Sequence, residues 1–340
     1  MLKKLRTLAV LSCGVLLFCG CSEKETVCER DVFAMDTCMS LKAYGENADI
    51  AVKECEQTIY RLENELSQKY EKSCIAKANS ANGETVELTD SAAEIVRKAN
   101  EISEKTDGAL DITIAPLVKE WGFTSENPHV PEKSEISEFL GYVDYNSITL
   151  NGNFLTMPKN FQIDLGAAAK GYASDKAIEI LKKNGVKSAI INLGGNVRTL
   201  GMKPDGSEWK VAVRNPFETE NEMCVIRTGE AAVITSGNYE RFFTDENGRR
   251  YWHILSPDDG YPADEGLVSV TVIGENGTEC DALSTALFVL GTEKAVDYWR
   301  NYRNFDMILV TDDKKILYTE KIADSFSNIS QMPSEVITFD

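Results

Sequence analysis

A chain of 340 residues that sets 36 Lys and Arg against 54 Asp and Glu carries a formal net charge of -18 and only two histidines. With no basic run and no basic-aromatic interleaving, that balance excludes a nucleic-acid or anionic-lipid surface as a partner, since both need clustered cations. The length would allow two domains, but no Pro/Gly/Ser-rich linker or low-complexity stretch divides it, so one domain with two lobes is the expectation.

Lys3, Lys4 and Arg6 precede an apolar stretch from Leu8 to Phe18 that is too short to span a bilayer. Residues 1–20 therefore read as a signal peptide, and Phe18-Cys19-Gly20-Cys21 as a bacterial lipoprotein processing site with Cys21 as the lipidated first residue. Phe18 stands where such sites usually carry leucine, and ordinary secretion with a free Cys21 is the alternative. A polar tether over 21–30 would then hang the domain of residues 31–340 outside the cytoplasm, on the cell membrane. Loss of residues 1–20 removes three cations and no carboxylate, which moves the charge from -18 to -21. Six cysteines then remain besides Cys21, namely Cys28, Cys38, Cys55, Cys74, Cys224 and Cys280, widely spaced and without a C-x-x-C pair. That spacing points to neither zinc nor a thioredoxin-like motif. Disulfides and buried free thiols both stay open for an exported protein.

Apolar residues at helical spacing predict a helix over Ala51 to Leu66, and Ser91-x-x-Glu94 reads as a capping box opening another that runs to Lys105. A third is expected from Ala168 to Asn184-Gly185, and a fourth over Ala282 to Leu290 with Gly291 ending it. β-Branched content predicts strands at Ala189–Leu193, Trp209–Val213, Ala232–Thr235, Val268–Ile273 and Met307–Val310. No P-loop and no G-x-G-x-x-G after a strand is present, so any nucleotide site is not of the Rossmann kind.

Two polar strings carry the chemistry. Asp164-Leu-Gly-Ala-Ala-Ala-Lys170-Gly-Tyr-Ala, with Asp164 expected at the end of a strand, combines a carboxylate, small residues and a lysine, while Asp281-Ala-Leu-Ser284-Thr285-Ala sets Asp281 and Thr285 four apart on one helix face. Carboxylate, hydroxyl and carbonyl oxygens suit a hard cation that shares phosphate oxygens with a substrate, so a metal-and-phosphate site for a nucleotide is the inference. Asp281, inside an apolar helix, reads equally as a metal ligand or as a helix N-cap. Lys170, at a helix start where a cation is disfavoured, would be reconciled by a phosphate there; a surface lysine is the plain alternative. His253 has the pKa range to take a proton from a hydroxyl nucleophile, or is a hydrogen-bonded structural histidine; His129, in a proline-flanked loop, is expected at the surface. Thr235-Ser-Gly237 and Gly194-Gly-Asn196 read either as tight turns or as sources of N–H groups for a diphosphate.

At these residues the chain resembles the ApbE-type FAD:protein FMN transferases, magnesium-dependent flavin-transfer lipoproteins. The likeness runs through Ala34-Met-Asp-Thr37, Leu66-Ser67 with Ser73 and Asn79, Thr106-Asp-Gly-Ala-Leu-Asp111-Ile-Thr, Trp121-Gly-Phe, Asn192-Leu-Gly-Gly-Asn196, Thr235-Ser-Gly-Asn-Tyr-Glu-Arg241 and His253-Ile-Leu-Ser-Pro257-Asp-Asp-Gly260. It implies an α+β fold with a tunnelling-fold-like core. It also implies Mg²⁺ held by Asp281, Thr285 and the Ala167 carbonyl, with Ser284 a weaker candidate, and FAD as substrate. FAD contacts are carried over to Met35, Ala109, Leu110, Asp111, Asp164, Lys170 and Leu255, with His253 as the base or orienter. Where the family often has an aromatic two residues after the serine matching Ser67, this chain has Lys69 and then Tyr70, so Tyr70 takes the stacking role only if the loop shifts by one. The implied reaction moves FMN to a threonine in a Ser/Thr-Gly-Ala-Ser/Thr motif of an acceptor redox-complex subunit and releases AMP. An FAD pyrophosphatase and a non-catalytic flavin-binding lipoprotein are the rival readings.

Overall fold

The computed structural model describes residues 26–123 and 125–339. The expected signal peptide, Cys21 and the first part of the tether lie outside the described residues. Residues 27–30, expected in the tether, belong instead to the first strand, which begins at Val27.

Nine strands form the main sheet: β1 (Val27–Ala34), β2 (Thr37–Tyr44), β3 (Ser188–Leu193), β4 (Asn196–Leu200), β5 (Ala231–Gly237), β6 (Leu267–Gly274), β7 (Asp306–Thr311), β8 (Ile316–Thr319) and β9 (Ser334–Ile337). Their spatial order is their chain order, antiparallel throughout except for the final parallel pair. Four long helices accompany them: α1 (Ala48–Leu66), α2 (Asp90–Lys105), α3 (Gly166–Lys183) and α4 (Gly277–Tyr302). The first three sit in the long connection from β2 to β3, and α4 connects β6 to β7. The α+β expectation is met.

Period-two alternation decides which face each residue joins. On β7, Met307 and Leu309 enter the main core under the helices, while Ile308 and Val310 enter a second core on the opposite face. On β5, Ala232 and Ile234 face the helices and Val233 faces away. A three-stranded sheet, Trp209–Arg214, Glu222–Thr228 and Phe326–Asn328, covers that second face. A third cluster gathers around buried Trp121, with Leu117, Ile136, Tyr251 and Leu255.

All five predicted strands are present, each extended by one or more residues. The capping expectation is corrected: α2 starts at Asp90, and its cap is Thr89, whose hydroxyl accepts from Ala92 N–H at 3.3 Å. Ser91 is buried within the first turn. Gly291 does interrupt α4, with φ 77° and ψ 177°, but helix resumes after it and runs to Tyr302. A Cβ at Gly291 would come within 2.5 Å of the Glu265 side chain, so the break needs glycine for space as well as for backbone. Almost every face of α4 before the break is buried, because it packs against α3, α2, β5 and β6 at once. That explains why its sequence is apolar all round.

Candidate active site

The site is built where α3 crosses α4. A Cβ at Gly171 would lie 2.2 Å from the Gly277 carbonyl oxygen and 2.7 Å from Asp281 Cβ, so only glycine lets the helices approach this closely. Across the contact, Gly171 N–H donates to Asp281 Oδ2 at 2.8 Å. One turn further along α3, Asp175 receives Gly277 N–H at 2.7 Å and Thr278 N–H at 2.8 Å. Residues 171 and 175 thus face 281 and 277 in antiparallel register, and one more turn sets Ala167 level with Thr285.

The N-cap alternative for Asp281 is excluded by position: Asn276 caps α4, accepting from Glu279 N–H at 2.8 Å, and Asp281 lies in the second turn. Asp281 is buried, and desolvation raises its pKa above the ordinary carboxylate value; the Lys170 cation and the Gly171 N–H oppose that shift. Asn196, at the start of β4, stands beside it, and its buried side-chain amide also opposes the shift.

Ser284 is fully buried and donates back to the Asp281 carbonyl at 2.8 Å. Ser236, from β5, completes a hydroxyl cluster: its Oγ lies 2.7 Å from Ser284 Oγ and 3.2 Å from Thr285 Oγ1. Thr285 is half-buried, so of the two hydroxyls it is the one facing away from the packed core. Among the described residues no group of three or more His, Cys, Asp and Glu side chains gathers as a metal cage. The donor set present is one carboxylate, a hydroxyl and a carbonyl. That fits Mg²⁺, which commonly takes one or two protein carboxylates and completes its shell with phosphate and water, and it does not fit zinc.

His253 follows the short strand Arg250–Trp252 and is half-buried. Its N–H donates to the Arg241 carbonyl at 3.0 Å, and its Nδ1 lies 3.3 Å from the same oxygen. A carbonyl only accepts, so Nδ1 carries the proton in that contact and Nε2 is left with its lone pair. Burial pushes the His253 pKa down to about 4, and the nearby Arg241 and Lys170 cations push the same way. Lys170 therefore lies within electrostatic reach of both His253 and Asp281, and it is half-buried rather than out in solvent. His129 is at the surface as expected.

The remaining expected residues fall into two further groups. Asp164 lies in an irregular segment rather than at a strand end, a correction: its N–H donates to the Ile112 carbonyl at 2.7 Å, and its Oδ1 accepts from Gly166 N–H at 2.7 Å, at the entrance to α3. This ties it to the loop of Ala109, Leu110 and Asp111. Leu110 is buried, and Asp107-Gly108 forms a turn, with φ 52° and 81°. Asp111 spends its carboxylate on the loop itself, accepting from Thr113 N–H and Oγ1 and from Tyr145 N–H at 2.6–2.9 Å. The second group is the β1–β2 turn: Met35, at φ 51°, donates its N–H to Glu63, and Asp36 pairs with Lys69 at 3.1 Å. Tyr70 is exposed on a cleft shared with Arg61, Lys72 and Lys77. Leu255 is packed into the Trp121 cluster. Gly194 and Gly195 form the β3–β4 turn. Asp175 and Arg198 were not singled out by the sequence reading, and Ser236 entered it only within Thr235-Ser-Gly237; that string is a correction, since it forms no tight turn but ends β5, paired with β6.

Residues 35–309 match the model of the ApbE family. The chain is 29% identical over 343 residues to the FAD:protein FMN transferase of Treponema pallidum (strain Nichols), covering 94% of both chains. It is 34% identical over 283 residues to the FAD:protein FMN transferase of Klebsiella pneumoniae (strain 342), covering 82% of this chain and 87% of that one. Among solved structures, the apbe protein of Thermotoga maritima superposes with a TM-score of 0.83 at 32% identity, over 88% of this chain and 99% of the other. The apo form of the Pseudomonas stutzeri flavinyl transferase ApbE does so with 0.76 at 30%, over 84% and 92%.

Proposed function

The chain belongs to the ApbE family, and from that premise we propose that it is a flavin transferase that moves FMN from FAD to a threonine hydroxyl of an acceptor protein and releases AMP. The observation that carries the mechanism is Asp281: a buried carboxylate whose Oδ2 is engaged by Gly171 N–H, beside Lys170 and within one helical turn of Thr285. Asp281, Thr285 and the Ala167 carbonyl are the residues that would hold Mg²⁺, which when bound supplies charge neutralisation and Lewis acidity at the diphosphate. Lys170 pairs with the same phosphates as a point charge. The acceptor oxygen forms a bond to the FMN phosphorus as the diphosphate P–O bond breaks, and AMP leaves with the electron pair. The hydroxyl proton passes to His253 Nε2, the nitrogen that the Arg241 carbonyl leaves free. A low pKa suits this role in one respect, since the imidazole is neutral and ready to accept across the neutral range.

The acceptor is a redox-complex subunit bearing a Ser/Thr-Gly-Ala-Ser/Thr motif. Lys3, Lys4, Arg6, the apolar run to Phe18 and Cys21 support an enzyme anchored by lipid on the outer side of the cell membrane, where acceptor and FAD meet it. The test is incubation with FAD, Mg²⁺ and a motif-bearing acceptor, followed by intact mass. A gain of one FMN per acceptor, lost when the threonine is replaced, is expected. AMP release without acceptor modification would instead make the enzyme a pyrophosphatase.

A further inference from the structure

Arg198 is an anomaly. On β4, 5% exposed, it carries a guanidinium whose Nε and Nη1 find no hydrogen-bond partner among the described residues. A buried arginine normally fills its donors. What it does have is a carboxylate 3.5 Å from Nε, Asp175 Oδ1, and the Glu275 carbonyl, which accepts from its remaining amino group.

Both partners bear on α4. Asp175 accepts the first two amides of that helix, from Gly277 at 2.7 Å and Thr278 at 2.8 Å, and the Thr278 hydroxyl at 2.8 Å. Glu275 is the residue just before the Asn276 cap. The arginine therefore holds the chain entering the helix, and the aspartate holds its first turn. Asp175 stands one turn from Gly171 on α3, and Gly277 one turn from Asp281 on α4, so the two cross-helix contacts are successive rungs of one ladder. The fit leaves no slack: a Cβ on Gly277 would meet Ser174 Oγ at 2.4 Å and the Gly171 carbonyl at 2.7 Å.

We propose that Asp175 and Arg198 are positioning residues that lock α4 in register on α3 and thereby set the affinity of the Asp281 site for Mg²⁺. This rests on the metal-dependent transferase reading above. Neither residue is among those that would hold the metal. Their action is to keep the Asp281 carboxylate and the Thr285 hydroxyl level with Ala167, because a site one ångström loose forfeits much of its binding.

The test compares wild-type protein with Asp175→Asn, Arg198→Met and, as a control, Thr89→Ala, which removes a cap from α2 outside this ladder. Mg²⁺ is titrated calorimetrically into the FAD-loaded protein, a measurement that needs no turnover, and thermal midpoints are recorded alongside. Loss of outer supporting groups typically weakens metal binding about 10- to 100-fold, so Asp175→Asn is expected to raise the Mg²⁺ dissociation constant by about 10-fold. Arg198→Met should shift it in the same direction, while Thr89→Ala lowers the thermal midpoint and leaves Mg²⁺ binding unmoved. Should Asp175→Asn not fold, Arg198→Met carries the test alone. A dissociation constant within about twofold of wild type in the folded variants, whatever their thermal midpoints, would overturn the proposal. Absence of FMN transfer by a wild-type protein that still binds Mg²⁺ would count against the transferase reading and leave the brace standing.

Discussion

The amide of Gly171 and the carboxylate of Asp281, 110 residues apart in the chain, meet at 2.8 Å. This one bond orients the acid and offsets part of the cost of burying it. The expected properties of the site follow from that contact and its neighbours.

Asp281→Asn keeps the shape and an oxygen for Gly171 but removes the charge, so FMN transfer should fall at least about 10²-fold while the fold survives. Burial raises the Asp281 pKa, which means the folded, metal-free protein binds this proton more tightly than the unfolded chain. Its contribution therefore worsens as pH rises through the carboxylate range. Metal-free Asp281→Asn is expected to be at least as stable as wild type at neutral pH, with the difference shrinking in acid. Denaturant melts with chelator at several pH values check this; a clear destabilisation at neutral pH would contradict it.

For His253 the sign is opposite. With a folded value of about 4 against an ordinary one near 6.5, the unfolded chain takes up the proton first, so stability is lost as pH drops from about 6.5 towards 4. The same value keeps the imidazole neutral above pH 5, and kcat/KM should show no inflection from it between pH 6 and 8. His253→Ala should lower turnover by about 10²- to 10⁴-fold with little change in FAD affinity. Loss of FAD binding at full turnover would make His253 a binding group instead.

Gly171→Ala forces a methyl into contact distances of 2.2 and 2.7 Å, which the two helices relieve only by separating. A cost of about 2 kcal/mol is expected, in line with overpacked cores. Because the separation also breaks the bond to Asp281, the Mg²⁺ concentration giving half activity should rise well beyond what the lost stability alone produces. A variant with a lowered thermal midpoint and an unchanged Mg²⁺ requirement would count against this.

Thr285→Val and Ser284→Ala separate the two neighbouring hydroxyls. Ser284 is buried and bonds its own helix, so its removal should cost about 1 kcal/mol of stability and leave Mg²⁺ dependence near wild type. Thr285→Val should do the reverse. Equal effects on the Mg²⁺ requirement would put both hydroxyls at the metal.

Much of this was legible in the chain. Apolar spacing, a capping signal and helix-ending glycines gave all four long helices, and β-branched runs gave five strands of the sheets. The hairpin of β1 and β2 was not foreseen, because β1 reads Val-Cys-Glu-Arg-Asp-Val-Phe-Ala and, as the free edge, keeps most of its residues out of the core. Ser91 looked like a cap because Glu94 follows three residues later, yet Thr89 has the free backbone geometry before the first turn and wins. Asp164 precedes a helix and follows Ile163 in an apolar context, which resembles a strand end; Asn79 instead takes the Ile163 backbone through both its amide groups, so no ladder forms there. Asp281, Lys170 and His253 were singled out from residue chemistry and family likeness. Asp175 and Arg198 were not, since an acid on a helix and a base on a strand have no meaning until α3 and β4 are brought together.

The strands follow one another across the sheet in chain order, but the two helices that face each other at Gly171 and Asp281 arrive from separate connections. Closing that contact needs β2 to find β3 across the long excursion holding α3, and β6 to find β7 around α4. Such distant closures come late in folding, after local hairpins have formed. A partly folded chain thus holds Asp281 without its companions and has nothing with which to retain an ion or a dinucleotide. Ligands that bind only the finished structure draw the last step forward by mass action. On this topology, the contact that orients Asp281 is expected to form only as the fold is completed.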